Sequence, residues 1–309
     1  MSILEAVLVT IVTASTPLLI AAIGELVVER SGVLNLGVEG MMVVGAVVGF
    51  VAGHLSGVPV IGILAAILAG VAMASVFAVA TLVFVTNQVA SGLALTIMGL
   101  GLAALIGDRF VSVPGLDLGR IHIPVLTDIP IVGPLIFGED PLVYFAIALT
   151  IAVSWFLFRT RAGLILRAVG DNHGSAHALG YPVIRVRFLA VLFGGACAGL
   201  AGAYLSIVYT PQWIPNMTAG RGWIAVALVV FAGWRPYWLL AGAYFFGLLG
   251  TLELYAKASG GSFTSILPSE GWAAVPYLAT VVALAIISAS KRAGGNAPAC
   301  LGKPFIPAA

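Results

Sequence analysis

No side chain between Ile61 and Phe84 carries a charge, and apolar runs of this kind recur from one end of the sequence to the other. A helix needs about 20 apolar residues to cross a bilayer. Membrane barrels instead show segments of about ten residues in which apolar and polar side chains alternate. The runs here are continuous, so helices are expected. The 309 residues are 61% hydrophobic and only 8% charged, with a mean hydropathy of +1.13; roughly a quarter are charged in an ordinary soluble domain. No water-soluble globule could hide so much apolar surface. Lipid offers no hydrogen-bond partner, so each span must close its own backbone bonds. The expected fold is all-α, a polytopic transmembrane helical bundle forming one domain over 1–309.

Candidate spans are 3–23, 33–53, 60–84, 89–107, 142–158, 188–208, 218–234, 237–255 and 273–290, about nine within a range of eight to ten. The first carries Glu5 and no basic lead-in, and so reads as a retained span rather than a cleaved signal. The connection 159–187 holds Arg159, Arg161, Arg167, Arg185 and Arg187 against Asp171 alone, which the positive-inside rule places in the cytoplasm. In the segment 108–141, Asp108, Asp117, Asp128, Glu139 and Asp140 outnumber Arg109 and Arg120, and Pro114, Pro124, Pro130 and Pro134 suit an ordered external loop. Counting outward from the basic loop puts the N-terminus outside and the tail 291–309, with Lys291 and Arg292, inside. Trp234-Arg235-Pro236-Tyr237-Trp238 divides 218–251 into two passes, because Pro236 disfavours an uninterrupted helix and the aromatics suit an interface. Whether 218–234 crosses fully stays open.

The most informative stretch runs from Gly24 to Met42, where four glycines, Asn35 and the acids Glu25, Glu29 and Glu39 interrupt an apolar helix. A broken segment near 24–40 is tolerated only where protein or a wet cavity satisfies the freed backbone. Asn35 and Glu39 are four apart and would share a face if the helix restarts near Val33. A carboxylate there is costly unless paired or wetted. It serves either a translocation path or the tying down of a neighbouring helix or Arg30. Elsewhere Gly45, Gly49 and Gly53, and again Gly195 and Gly199, repeat at a spacing of four, the stripe that lets helix backbones approach closely in lipid.

Within the basic loop, Gly170 to Pro182 reads as a short capped helix, with Asn172 as N-cap, Gly180 as stop and Pro182 as barrier. Two turns do not persist alone in water, so this helix needs a surface to pack on.

Thr16-Pro17-Leu18, Gly24-Glu25, Glu29-Arg30, Gly32-Val33-Leu34-Asn35 and Gly37-Val38-Glu39-Gly40 closely resemble a block of the permeases in the ribose and branched-chain amino-acid branch of ATP-binding-cassette (ABC) importers. Within that branch the likeness is greatest to nucleoside or simple-sugar permeases. Asn87-Gln88 followed by Gly92-Leu93-Ala94-Leu95 resembles a second block, and the likeness resumes over 159–206 and 220–250, while 108–141 matches poorly. The resemblance implies a transport subunit without catalytic residues of its own, driven by cytosolic ABC ATPase subunits. It further implies a second, identical or homologous permease, an extracytoplasmic binding protein or lipoprotein, and a home in a bacterial or archaeal plasma membrane. It makes Gly170, Asp171, Asn172, His173, Ala176, Leu179 and Gly180 the coupling helix. Where the family usually continues with Pro and two alanines, this chain has His173, Gly174 and Ser175. Asn35, Glu39, Asn87 and Gln88 become candidates for the path or its gate.

Other chemistries fit less well. His173 and His177 lack a third metal ligand nearby, and His54 and His122 lie elsewhere. Gly302-Lys303 is followed by Pro304 instead of Ser or Thr and is not a phosphate loop. Cys197 and Cys300 have no redox spacing, and Asn216-Met217-Thr218 is a short glycosylation-type match of little weight. No cofactor is expected. An ion-coupled secondary transporter would need mid-membrane acids, for which only Glu39 is a reasonable candidate, and an intramembrane enzyme would need a nucleophile with a base.

Overall fold

The computed structural model describes residues 3–121, 132–258 and 297–306, with isolated positions in 122–131 and 271–285. Eleven α-helices are assigned among them. They are α1 (Ile3–Arg30), α2 (Val38–Ser56), α3 (Pro59–Ala78), α4 (Gln88–Gly107), α5 (Val132–Phe137), α6 (Pro141–Arg159), α7 (Arg161–Asp171), α8 (His173–Ala178), α9 (Val183–Ala203), α10 (Arg221–Phe231) and α11 (Pro236–Ala258). Wider π-turns extend α3 through Val83 and α9 through Tyr209. Among the described residues seven helices are long and apolar enough to cross a membrane, namely α1, α2, α3, α4, α6, α9 and α11. Two of the nine expected spans are not among them. The segment 218–234 yields only the 11-residue α10, about 16 Å long at 1.5 Å per residue. Most of 273–290 lies outside the described residues, as do Lys291 and Arg292.

The break expected over 24–40 is narrower than the glycines suggested. Helix α1 continues to Arg30, because Gly24 serves as a contact face on Gly194 and Cys197 of α9 rather than as a stop. Only 31–37 leaves the helix, and α2 begins at Val38. Of the seven, α1, α2 and α9 are the most buried and form the centre, around which α3, α4, α6 and α11 stand. All the acids described in 108–140 gather at one end of the bundle with the N-terminal end of α1, and the Arg-rich 159–187 gathers at the other with Arg30.

The centre is held by small residues. Gly45 and Gly49 on α2, Gly62 and Gly70 on α3, and Gly195 and Gly199 on α9 bring the three backbones together. Without a hydrophobic force between helices in lipid, close packing of this kind must supply the cohesion. A methyl group added at Gly45 would sit 2.6 Å from both the Cα and the carbonyl oxygen of Gly199, whereas one at Gly53 would meet nothing nearer than the Gly62 Cα at 3.7 Å. We therefore expect Gly45→Ala to lower the thermal unfolding midpoint of the detergent-solubilised protein, consistent with an overpacking cost of about 1–3 kcal/mol. Gly53→Ala should leave that midpoint unchanged, so equal effects from the two substitutions would contradict this packing.

Candidate functional site

Three buried carboxylate and amide side chains and one hydroxyl supply hydrogen bonds to the broken segment. After Arg30 the chain turns and runs back alongside the end of α1, with Ser31 N–H donating to the Val28 carbonyl at 3.0 Å and Val33 N–H donating to the same oxygen at 3.4 Å. Asn35 N–H donates to Glu25 Oε1 at 3.2 Å, and Asn35 Oδ1 accepts from Gly37 N–H at 2.9 Å. Leu34 N–H donates to Gln88 Oε1 at 2.8 Å, and Thr96 Oγ1 donates to the Leu36 carbonyl at 3.1 Å. The turn is thus clamped between α1 and α4. Asn35 belongs to the turn and not to a restarted helix, so it does not form a helical face with Glu39.

Glu39, in the first turn of α2, serves a different helix. Its Oε1 accepts from Thr218 Oγ1 at 2.6 Å and from Gly220 N–H at 2.8 Å, while Oε2 accepts from Gly222 N–H at 2.6 Å. These amides open α10, whose first N–H groups have no partner within the helix. The positive end of the helix dipole also favours an anion there. At the other end of α10, Trp234 Nε1 donates to Glu29 Oε2 at 2.6 Å and the Trp234 carbonyl accepts from Arg30 at 2.8 Å. A short helix is therefore moored at both ends, to Glu39 at its start and to Glu29 and Arg30 at its finish. Among the described residues Glu25 Oε2, Glu29 Oε1 and Gln88 Nε2 remain buried without a hydrogen-bond partner. Asn87 stands apart, exposed, and caps α4 by accepting from Ala90 N–H at 3.0 Å.

Beneath the turn lies the short helix α8. Asn172 caps it by accepting from Ser175 N–H at 2.9 Å, and Gly180 ends it in a left-handed conformation with φ of 85°. Ala176 is buried, while Asp171, Asn172 and Leu179 face outward. Arg187, fully buried, joins three elements. Its Nε donates to the Ser31 carbonyl at 3.1 Å, one terminal nitrogen donates to the Lys303 carbonyl at 3.1 Å, and the other lies 3.1 Å from His173 Nδ1. The segment 297–306 is part of the same cluster. Cys300 N–H donates to the Gly170 carbonyl at 2.9 Å, Gly302 N–H donates to the Gly32 carbonyl at 3.2 Å, and Phe305 lies edge-on to both His173 and His177. The two histidines thus seat an aromatic ring. His173 is held below the usual histidine pKa by partial burial and by the Arg187 and Lys303 charges.

Sequence reasoning missed the Arg187 junction because the residue was one of five arginines setting topology. It also missed the mooring of α10, because Thr218, Gly220 and Gly222 carry no pattern that points to Glu39, about 180 positions away in the chain. His54 stacks on Phe50 and meets Phe110 edge-on at the acidic end, away from His173 and His177. No group of three metal-binding side chains occurs among the described residues.

A bundle of lipid-length helices with a broken, carboxylate-moored centre and a small exposed helix on its basic face is the architecture of a multi-pass membrane permease. The chain matches the family "Branched-chain amino acid transport system / permease component" over residues 7–290, and it belongs to that family. It is 45% identical to TsgC13 of Haloferax volcanii, a proposed glucose ABC transporter permease protein, over 80% of this chain and 76% of that one. It is 31% identical to the guanosine ABC transporter permease protein NupQ of Bacillus subtilis, over 94% and 93% respectively. It is 30% identical to the nucleoside ABC transporter permease protein NupC of Lactococcus lactis, over 92% of each. The protein is a transport component rather than an enzyme, and its family implies a separate ATPase and a solute-binding protein as partners.

Two outcomes follow. Glu39→Ala leaves three donors buried without an acceptor, each costing about 1–3 kcal/mol, and should sharply lower the unfolding midpoint followed by tryptophan fluorescence; an unchanged midpoint would refute the mooring. At the acidic end, burial raises the Glu139 carboxyl to about 7, offset in part by Arg120 and reinforced by Asp140. The folded state holds this proton more tightly than the unfolded chain, so the stabilisation is full below the ordinary carboxylate value of 4.5 and is lost as pH rises through about 7. Stability should fall across that window, and Glu139→Gln should flatten the profile.

Proposed function

We propose that this chain is the membrane-spanning half of an importer for a neutral, hydroxyl-rich solute, a nucleoside or simple sugar, in a bacterial or archaeal plasma membrane. The names of the whole-length relatives support the solute class. A second permease, identical or homologous, completes the pathway, and an extracytoplasmic binding protein delivers the solute. None of these relatives favours an ion-coupled carrier.

In this reading the Arg-rich end is cytoplasmic and α8 is the coupling helix, with Leu179 offered to a groove of the ATPase. The observation that carries the reading is the Arg187 junction. It ties α8 to Ser31, and so to the turn from which Asn35 and the Gln88 and Glu25 contacts hang. Closure of the ATPases moves α8, Arg187 passes the displacement to the turn, and α10, moored to Glu39 on one side and Glu29 on the other, shifts with it. Access alternates between the two sides without covalent chemistry. Asn35, Glu39 and Gln88 then form the gate, and Asn87 its exposed lip.

Uptake of labelled guanosine and glucose by cells carrying the complete transporter tests the reading, with the ATPase inactivated as control. ATP-dependent uptake of neither, or undiminished uptake in the control, would refute it. Leu179→Asp should abolish solute-stimulated ATP hydrolysis and uptake while the permease still inserts; retained stimulation would remove α8 from the motor contact.

A further inference from the structure

Helices α6 and α9 both pack on α1 and α7 but make few contacts with each other. The gap between them is a cavity of about 530 Å³, within the range of small-molecule sites, roughly 300–1,000 Å³. Its floor is Val27 of α1 with Leu166 of α7, and its walls include Phe156 and Phe193. Every lining residue is apolar apart from the hydroxyl of Tyr181 at the lip. The gap opens sideways between two membrane-crossing helices, where Trp155 is 63% and Leu189 66% exposed.

Three arginines neighbour the lining residues in sequence. Arg185 precedes the lining residue Val186 and lies one helical turn before Leu189, on the same face of α9. Arg161 stands in the same relation to Ala162 and Ile165 of α7, and Arg159 follows Phe156 by three positions at the end of α6. All three are exposed and make no ion pair or hydrogen bond among the described residues. The nearest acid in sequence, Asp171, lies at the far end of α7, about 15 Å along the helix axis at 1.5 Å per residue. Three exposed arginines from three helices thus adjoin, along the chain, residues that line an apolar slot between two helices of membrane-crossing length. Arginine suits a phosphate because its planar fork presents paired donors.

We propose that this slot is a binding site for one anionic glycerophospholipid, its acyl chain lying against Phe156 and Phe193 and its phosphate held by Arg159, Arg161 and Arg185. A basic pocket between membrane helices with an apolar floor is the chemistry that selects an acidic headgroup over a zwitterionic one. The bound lipid braces α6 against α9 where they do not touch and steadies α7, which leads into α8. The site needs only the bundle and its basic end, so it stands whether or not the coupling reading holds.

Native mass spectrometry of the full chain, purified in mild detergent and supplied with dioleoyl phosphatidylglycerol or dioleoyl phosphatidylcholine, tests the proposal. One phosphatidylglycerol should remain per chain, and inorganic phosphate should not displace it. Each arginine should add roughly fivefold to the preference. Arg161→Gln with Arg185→Gln should bring the two lipids towards equal retention, and Ala152→Trp, which fills the slot from α6, should abolish retention of either with the helical content unchanged. Equal retention of the two lipids by the unaltered chain, displacement by phosphate alone, or retention untouched by Ala152→Trp would overturn it.

Discussion

The structure depends on one constraint. A polypeptide that leaves the helical path inside lipid must find every lost hydrogen bond within itself. The chain does so with acids. Glu25 receives the amide of Asn35, Glu39 receives the first amides of α10, and Glu29 receives the indole at its end. Each carboxylate is costly to bury, yet each relieves donors that would cost as much if left alone. The break at 31–37 hangs from α1 and α4, and the short α10 is moored to residues on either side of that break, Glu29 and Arg30 before it and Glu39 after it.

Around that polar seam the remainder is close packing of small residues. Glycines and alanines on α2, α3 and α9 allow backbone-to-backbone contact, while the outward faces of α3, α4 and α6 carry large apolar side chains exposed in the isolated chain. The closely packed centre places the polar turn at the junction of three spans.

The basic end concentrates the connections. Arg187 replaces what three separate hydrogen-bonded contacts would otherwise require, joining α9, the turn at Ser31 and the segment 297–306 through one guanidinium whose fork presents donors in several directions. A lysine, with a compact charge on a flexible stem, would not hold this geometry. The segment 297–306 packs beside α8, so the face offered at this end is composite rather than a single helix.

Much of this was legible in the residues. Uncharged runs such as Ile61 to Phe84 determine membrane helices because no other solvent accepts them, and the Gly-Asn-acid stretch marks where a helix fails. Asn172 and Gly180 announce α8 because capping is a local matter of one side chain and one left-handed residue. The glycine stripes of α2 and α9 likewise reveal close approach, though not which stripe meets which. Tertiary structure alone decided that Gly24 is a contact and not a break, that 221–231 is a moored half-length helix, and that Glu39 answers to Thr218, Gly220 and Gly222. Those choices lie between groups far apart in sequence. Local composition fixes what a segment must bury, whereas the partner that makes the burial affordable is set only when the whole chain has packed.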